Sequence, residues 1–143
     1  MAQIISATRT RSNGRAGGKR ARFLFQAREL LDVARGYAAE GRFDQALEVA
    51  YQSALRTAGA RVAVSAVARR RRLPSSAWDR LALVGVEEKR WAESFEGYSR
   101  TRARVASGLD EVPGEDFVYG LMQCAAQFLD ESELGTSFGS FAA

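Results

Sequence analysis

Apolar side chains recur at three- and four-residue steps along most of this chain, and nowhere at a sustained step of two. The first stripe is Phe23, Ala27, Leu30, Leu31, Ala34 and Ala38, with Leu24 and Phe25 beside it. It predicts an amphipathic helix from about Lys19 to Gly41. After the Gly41-Arg42 break, Ala46, Leu47, Ala50, Tyr51, Ala54, Leu55 and Ala58 make a second stripe. Within it Ala46, Ala50, Ala54 and Ala58 repeat every fourth residue, and small residues in a row let a partner helix approach closely. Val62, Val64, Val67 and Ala68 continue the pattern, so one long helix, bent near Gly59, is expected up to the arginines at 69–72.

Leu73-Pro74-Ser75-Ser76 reads as a turn and a cap, with Ser75 or Ser76 accepting an early N–H of a short helix containing Trp78, Leu81, Ala82 and Val84. Helix resumes near Glu87 and runs to about Ser107, with Gly108 as its C-terminal cap. The last helix spans about Glu115 to Glu133 and buries Phe117, Val118, Leu121, Met122, Ala125, Phe128 and Leu129. Four main helices and a short one, joined by brief loops, predict an all-α, antiparallel up-down bundle of four to five helices. Residues 1–18, rich in Ser, Thr, Gly, Asn and Arg, are expected to be a flexible basic arm. Residues 19–134 form the single domain, and 135–143 a flexible tail.

A chain of 143 residues has room for one hydrophobic core. Its formal charge of +4 is unevenly spread. Before the first acidic residue, Glu29, come Arg9, Arg11, Arg15, Lys19, Arg20, Arg22 and Arg28; after the last basic residue, Arg104, come Asp110, Glu111, Glu115, Asp116, Asp130, Glu131 and Glu133. The candidate nucleic-acid-binding residues are therefore Arg9, Arg11, Arg15, Lys19 and Arg20 of the arm, together with Arg69, Arg70, Arg71 and Arg72, which Arg61 would extend. Arginine suits bidentate phosphate contacts. The same run would also sit well at a helix C-terminus, where the dipole favours cations, and the arm could serve only as a solvated tail. No aromatic motif for base reading accompanies either.

Catalytic groups are scarce. There is no histidine, which removes Ser-His-Asp and Cys-His arrangements and His-containing zinc sites. The lone Cys124 lies among apolar residues of the last helix, an environment that raises a thiol's pKa. No phosphate-binding glycine loop is present, and no ExxH pair accompanies the carboxylates. No catalytic residue, cofactor or metal site is expected. No apolar stretch approaches the ~20 residues of a membrane span, and Ile4-Ile5 is too short for a secretory signal. A cytoplasmic location follows as an expectation. The aromatics Trp78, Trp91, Phe95 and Tyr98 are candidate interface anchors for self-association or a protein partner, although core packing would use the same spacing.

Several segments carry a family resemblance. They are the hairpin from Tyr37 to Leu55, the basic turn from Arg69 to Trp78, the Trp91-Ala-Glu-Ser-Phe95-Glu-Gly-Tyr98 segment, and Arg100 to Ala106. Together they resemble the SAV_6107-like HEPN domains of actinobacteria, over roughly residues 20–131. The most specific element is Arg72-x3-Ser76-Ala77-Trp78 followed by Trp91 and Phe95. The resemblance implies a four- or five-helix bundle, often dimeric in the superfamily. Many such proteins are RNases that use an Arg-x(4–6)-His motif; with no histidine here, no catalytic residue carries over. The expectation is a non-enzymatic interaction or scaffold protein, self-associating or part of a larger complex. The alternative is a nucleic-acid-binding accessory protein.

Overall fold

In a computed structural model of the protein the backbone is described for residues 2–142 and the side chains for residues 14–135. Five α-helices follow one another: α1 (Ala2–Ala39), α2 (Phe43–Ala63), α3 (Ala77–Ala82), α4 (Val86–Ala106) and α5 (Glu115–Ala142), with a short 3₁₀ turn at Ala66–Arg69. The molecule is an all-helical bundle, as the periodicity predicts.

The helices end where the sequence supplies the means. At the close of α1, Gly41 adopts φ +76°, which only glycine takes without strain. The N–H of Gly41 bonds the carbonyl of Ala38, and that of Arg42 reaches back to Tyr37. This is the two-bond closure that reverses a chain into the next helix. Gly108 repeats the device after α4, with φ +73° and the N–H of Leu109 on the carbonyl of Arg104 at 2.8 Å. Of the two serines offered as a cap, Ser76 is the one whose hydroxyl accepts the N–H of Asp79 at the start of α3.

Two boundaries differ from expectation. The second helix stops at Ala63, short of the arginine run, and does not break at Gly59. The Ser65 hydroxyl donates to the carbonyl of Val62 at 2.7 Å and its own N–H bonds the same oxygen, taking the acceptor out of the helical ladder. Residues 69–72 therefore lie at the end of the 3₁₀ turn and in the loop after it. The other difference concerns the chain ends: α1 begins at Ala2 and α5 extends to Ala142, so the backbone of residues 14–18 is helical and continuous with α1. The side chains of Arg9 and Arg11, and of the 136–143 tail, lie outside the described residues.

Helix α2 is the centre of the bundle. It packs against α1, α3, α4 and α5. Ala46, Ala50, Ala54 and Ala58 are all buried, and α1 meets them with Ala27, Leu31, Ala34 and Ala38. The approach is close enough for the Ser53 hydroxyl to donate to the backbone carbonyl of Ala27 at 2.7 Å. A polar relay then ties three helices inside the core. Trp78 Nε1–H of α3 donates to Tyr51 Oη of α2 at 2.9 Å, and that hydroxyl donates to Ser99 Oγ of α4 at 3.0 Å. Arg102 of α4 grips Glu48 of α2 in a two-bond fork and lies over the Tyr51 ring, 4.5 Å from its centroid.

No helix among the described residues is long and apolar enough to cross a membrane.

A larger side chain on the α2 alanine row has no room. Ala54→Leu should destabilise the fold by about 1–3 kcal/mol, whereas the exposed Ala103→Leu on α4 should be nearly neutral. Urea unfolding midpoints of the two variants check the contrast. The Glu48–Arg102 fork predicts a pH dependence. The hydrogen bond from Arg102 holds the Glu48 carboxyl below its ordinary value of 4.5. A depressed folded value means the contribution is present above that ordinary value and lost as pH falls through the lower one. Stability measured on acidification should therefore fall less steeply in Glu48→Gln than in the native protein.

Candidate nucleic-acid interface

The cations of α1 do not act as one group, because successive helical residues point about 100° apart. Arg15, Lys19 and Arg22 are spaced four and three residues apart, and so share a stripe. They are exposed. Beside them Phe23 packs on Gly59 of α2, so close that a Cβ at Gly59 would stand 3.2 Å from the ring. Three cations gather over that ring: Lys19 at 5.6 Å from the centroid, Arg56 of α2 at 5.8 Å and Arg22 at 6.0 Å. The negative face of an aromatic ring accounts for their convergence.

Next to Phe23 lies a groove of about 270 Å³ between α1, the end of α2 and the start of α3. Lys19 and Arg80 flank it, and Leu55, Val62, Leu73 and Ala77 contribute apolar wall. Arg80 is held by its Nε–H, which donates to the carbonyl of Pro74. Ala68 and Leu73 also line the groove, so the loop carrying Arg69, Arg70, Arg71 and Arg72 borders it directly. Arg69 itself lines an adjoining hollow with Ala16 and Gly17 of α1. All four arginines are exposed. Arg15, Lys19, Arg22, Arg56, Arg80 and the four arginines of the loop form no ion pair with any described residue. One face of the bundle thus collects cations from three helices and a loop around an apolar groove that no carboxylate lines.

Two residues expected in this patch face elsewhere. Arg20, one position after Lys19, turns to α5 and donates to the carbonyl of Ser132 at 2.7 Å. Burial lowers its pKa, Glu133 pulls the other way, and the Arg61 charge adds to the lowering. Arg61 does not extend the arginine run either. Its side chain, 14 % exposed, donates from Nε to Ser132 Oγ at 2.6 Å and lies over Phe128. It reaches toward Glu87 and Glu88 at 3.6 and 3.8 Å. The cleft around this pair, about 650 Å³, is lined by Glu87, Glu88 and Glu131 as well as by the two arginines. Three carboxylates against two guanidiniums leave it without a positive field, so it clamps α2, α4 and α5 and is no anion site.

Two of the four candidate interface aromatics are interior. Trp78 is 3 % exposed and Phe95 is fully buried, and their rings stack with centroids 4.8 Å apart. This corrects their reading as interface anchors: the four-residue step from Trp91 to Phe95 turns inward, where Phe128 of α5 receives both rings. Trp91 and Tyr98 are half-buried, and Tyr98 packs edge-on against Phe117 of α5. Burial raises the pKa of the Tyr98 hydroxyl, with Cys124 adding to the effect, and burial likewise raises that of the half-buried Cys124 thiol. Both are therefore less readily ionised. No group of three or more potential metal ligands is found among the described residues.

The bundle and its inward aromatic stack define a small all-helical domain that, among the described residues, carries a basic groove on its surface. The model of the SAV_6107-like HEPN family matches residues 38–133, more than half of the chain, and the protein belongs to that family. No curated protein and no solved structure matches it. The match begins inside α1, so the Arg15–Lys19–Arg22 stripe and Phe23 lie before it, whereas Arg56, Arg80 and the arginine loop lie within it.

Arg61 tests how the polar clamp contributes. Arg61→Ala removes the donor to the buried Ser132 hydroxyl and uncovers Glu88, and should cost about 1–3 kcal/mol in a thermal or denaturant melt. Adding Glu88→Gln to that variant should recover part of the loss.

Proposed function

We propose that this protein is a non-enzymatic HEPN-family member that binds nucleic acid through its phosphate backbone. The observation that carries the reading is the basic face: Lys19 and Arg80 line one groove, Arg22 and Arg56 gather at its Phe23 wall and the arginine loop borders it, none of them in an ion pair among the described residues. Cations that fold into one surface without carboxylate partners keep their field for an outside anion. Neutralising phosphates releases condensed counterions, which is where most affinity for a nucleic acid arises. The absence of histidine in the chain supports a binding role over cleavage, since the family's Arg-x(4–6)-His pair has no second member. The scaffold reading has less behind it, because Trp78 and Phe95, two of the four aromatics it draws on, are spent on the core.

The test is a titration of fluorescently labelled RNA and DNA across a salt series. Binding should weaken steeply as salt rises, with a log–log slope of about 0.7 to 0.9 per phosphate contact. Replacing Arg69, Arg70, Arg71 and Arg72 together by alanine should lower affinity at least about tenfold at low salt and flatten that slope. The four are exposed, so the melting temperature should hold. Absence of binding at low salt, or a slope untouched by the quadruple variant, sinks the reading.

A further inference from the structure

We propose that the groove beside Phe23 receives an unpaired base, so that the protein prefers single-stranded nucleic acid to duplex. This rests on the phosphate-binding reading above and goes past it to the form of strand bound. Phosphate contacts alone give no reason to prefer a single strand, since the duplex carries the higher charge density. The groove does. Its volume of about 270 Å³ lies just under the range of about 300–1,000 Å³ that holds drug-sized ligands, and one base is smaller than those. Its wall is largely apolar, made by Phe23, Leu55, Val62, Leu73 and Ala77, and it contains no carboxylate. That composition suits the flat apolar face of a base and has nothing to hold an amine or a metal ion.

The surroundings fix what the base must be attached to. Lys19 and Arg80 stand at the groove itself, and the arginine loop follows Ala68 at its edge. A base lying in the groove would carry its own backbone phosphates past these side chains, which links the apolar pocket to the charged face by complementarity. In a duplex the bases are stacked inside and their faces are out of reach, so a duplex can use the cations but not the groove. Phe23 is well placed to act as a fixed wall. Gly59 beneath it and the three cations around it leave the ring little freedom to swing away.

The experiment compares a labelled twelve-residue oligouridylate, the matching oligothymidylate and a duplex of equal strand length at one salt concentration. The native protein should bind both single strands about ten- to a hundredfold more tightly than the duplex, the range base–aromatic contacts reach. Phe23→Leu removes the ring, and Ala77→Leu fills the groove; neither changes the number of cations, and Ala77→Leu leaves the cations around the Phe23 ring untouched. Each should bring single-strand affinity down to that of the duplex and leave duplex affinity unchanged. Equal binding of single strand and duplex by the native protein overturns the base-in-groove proposal and leaves phosphate binding standing. So does an equal loss for both forms in the two groove variants. Failure of all three probes to bind at low salt overturns both readings. Melting temperatures accompany the variants, and if either fails to fold, the native protein's ratio of single-strand to duplex affinity decides.

Discussion

The close approach of α1 and α2 is the constraint on which the other features depend. Alanines on both helices bring the backbones near enough for Ser53 to bond the Ala27 carbonyl, and the same closeness seats Phe23 against Gly59. With a leucine row on α2 the two axes would stand further apart, and Ser53 would lose its partner. The hairpin is also what brings Lys19 and Arg22 from the middle of α1 beside Arg56 of α2, so the charge pattern of the surface is set by packing in the interior. Gly41 makes that hairpin possible by turning the chain in two residues.

Around the hairpin the remaining helices bury Trp78, Leu81, Phe95, Leu121, Phe128 and Leu129, and polar links join them to α2 as well. The Trp78–Tyr51–Ser99 relay joins α3 and α4 to α2 inside the core, where an unpaired indole N–H or hydroxyl would be costly. Arg102 and Glu48 hold the far end of α4, and Arg61 with Ser132 holds its near end and α5. Each of these has a partner fixed in geometry, which is how buried polar groups specify one arrangement of helices over its neighbours. Nothing in the arrangement raises the reactivity of Cys124 or Tyr98; burial acts on both in the opposite direction.

The fold was largely legible in the sequence because helical periodicity is local. The alanine row, the Gly41 and Gly108 stops and the Ser76 cap each depend on residues within a few positions of one another. The end of α2 was less legible, because it depends on one serine hydroxyl competing for Val62. Of the candidate site, the arginine run could be read directly, since four consecutive arginines are exposed in almost any loop. Phe23, Arg56 and Arg80 could not: they lie on three helices, 33 and 24 positions apart, and only the fold brings Arg56 over the Phe23 ring and Phe23 and Arg80 to one groove. Arg20 and Arg61 were misplaced for the opposite reason. Sequence proximity to Lys19 and to the arginine run suggested a shared face, and helix geometry sends both to Ser132. The Trp91–Phe95 spacing suits a core face and an interface face equally, so periodicity could not decide between them.

The distribution of carboxylates explains why the basic face is left uncompensated. Arg28 occupies Asp130 and Glu133, Arg102 occupies Glu48, Arg104 occupies Asp110, and Arg61 draws on Glu87 and Glu88. These acids are used where helices must be joined, and they lie away from the groove. Like charges gathered on one face repel, and in water that repulsion is softened by solvent and salt but not removed. The Phe23 ring relieves some of it by holding three of them. The others are screened by water and salt, and a polyanion is the kind of ligand suited to such a face. A single phosphate or a carboxylate would neutralise one or two members of such a face, whereas a polyanionic strand meets many at once with a single loss of translational freedom.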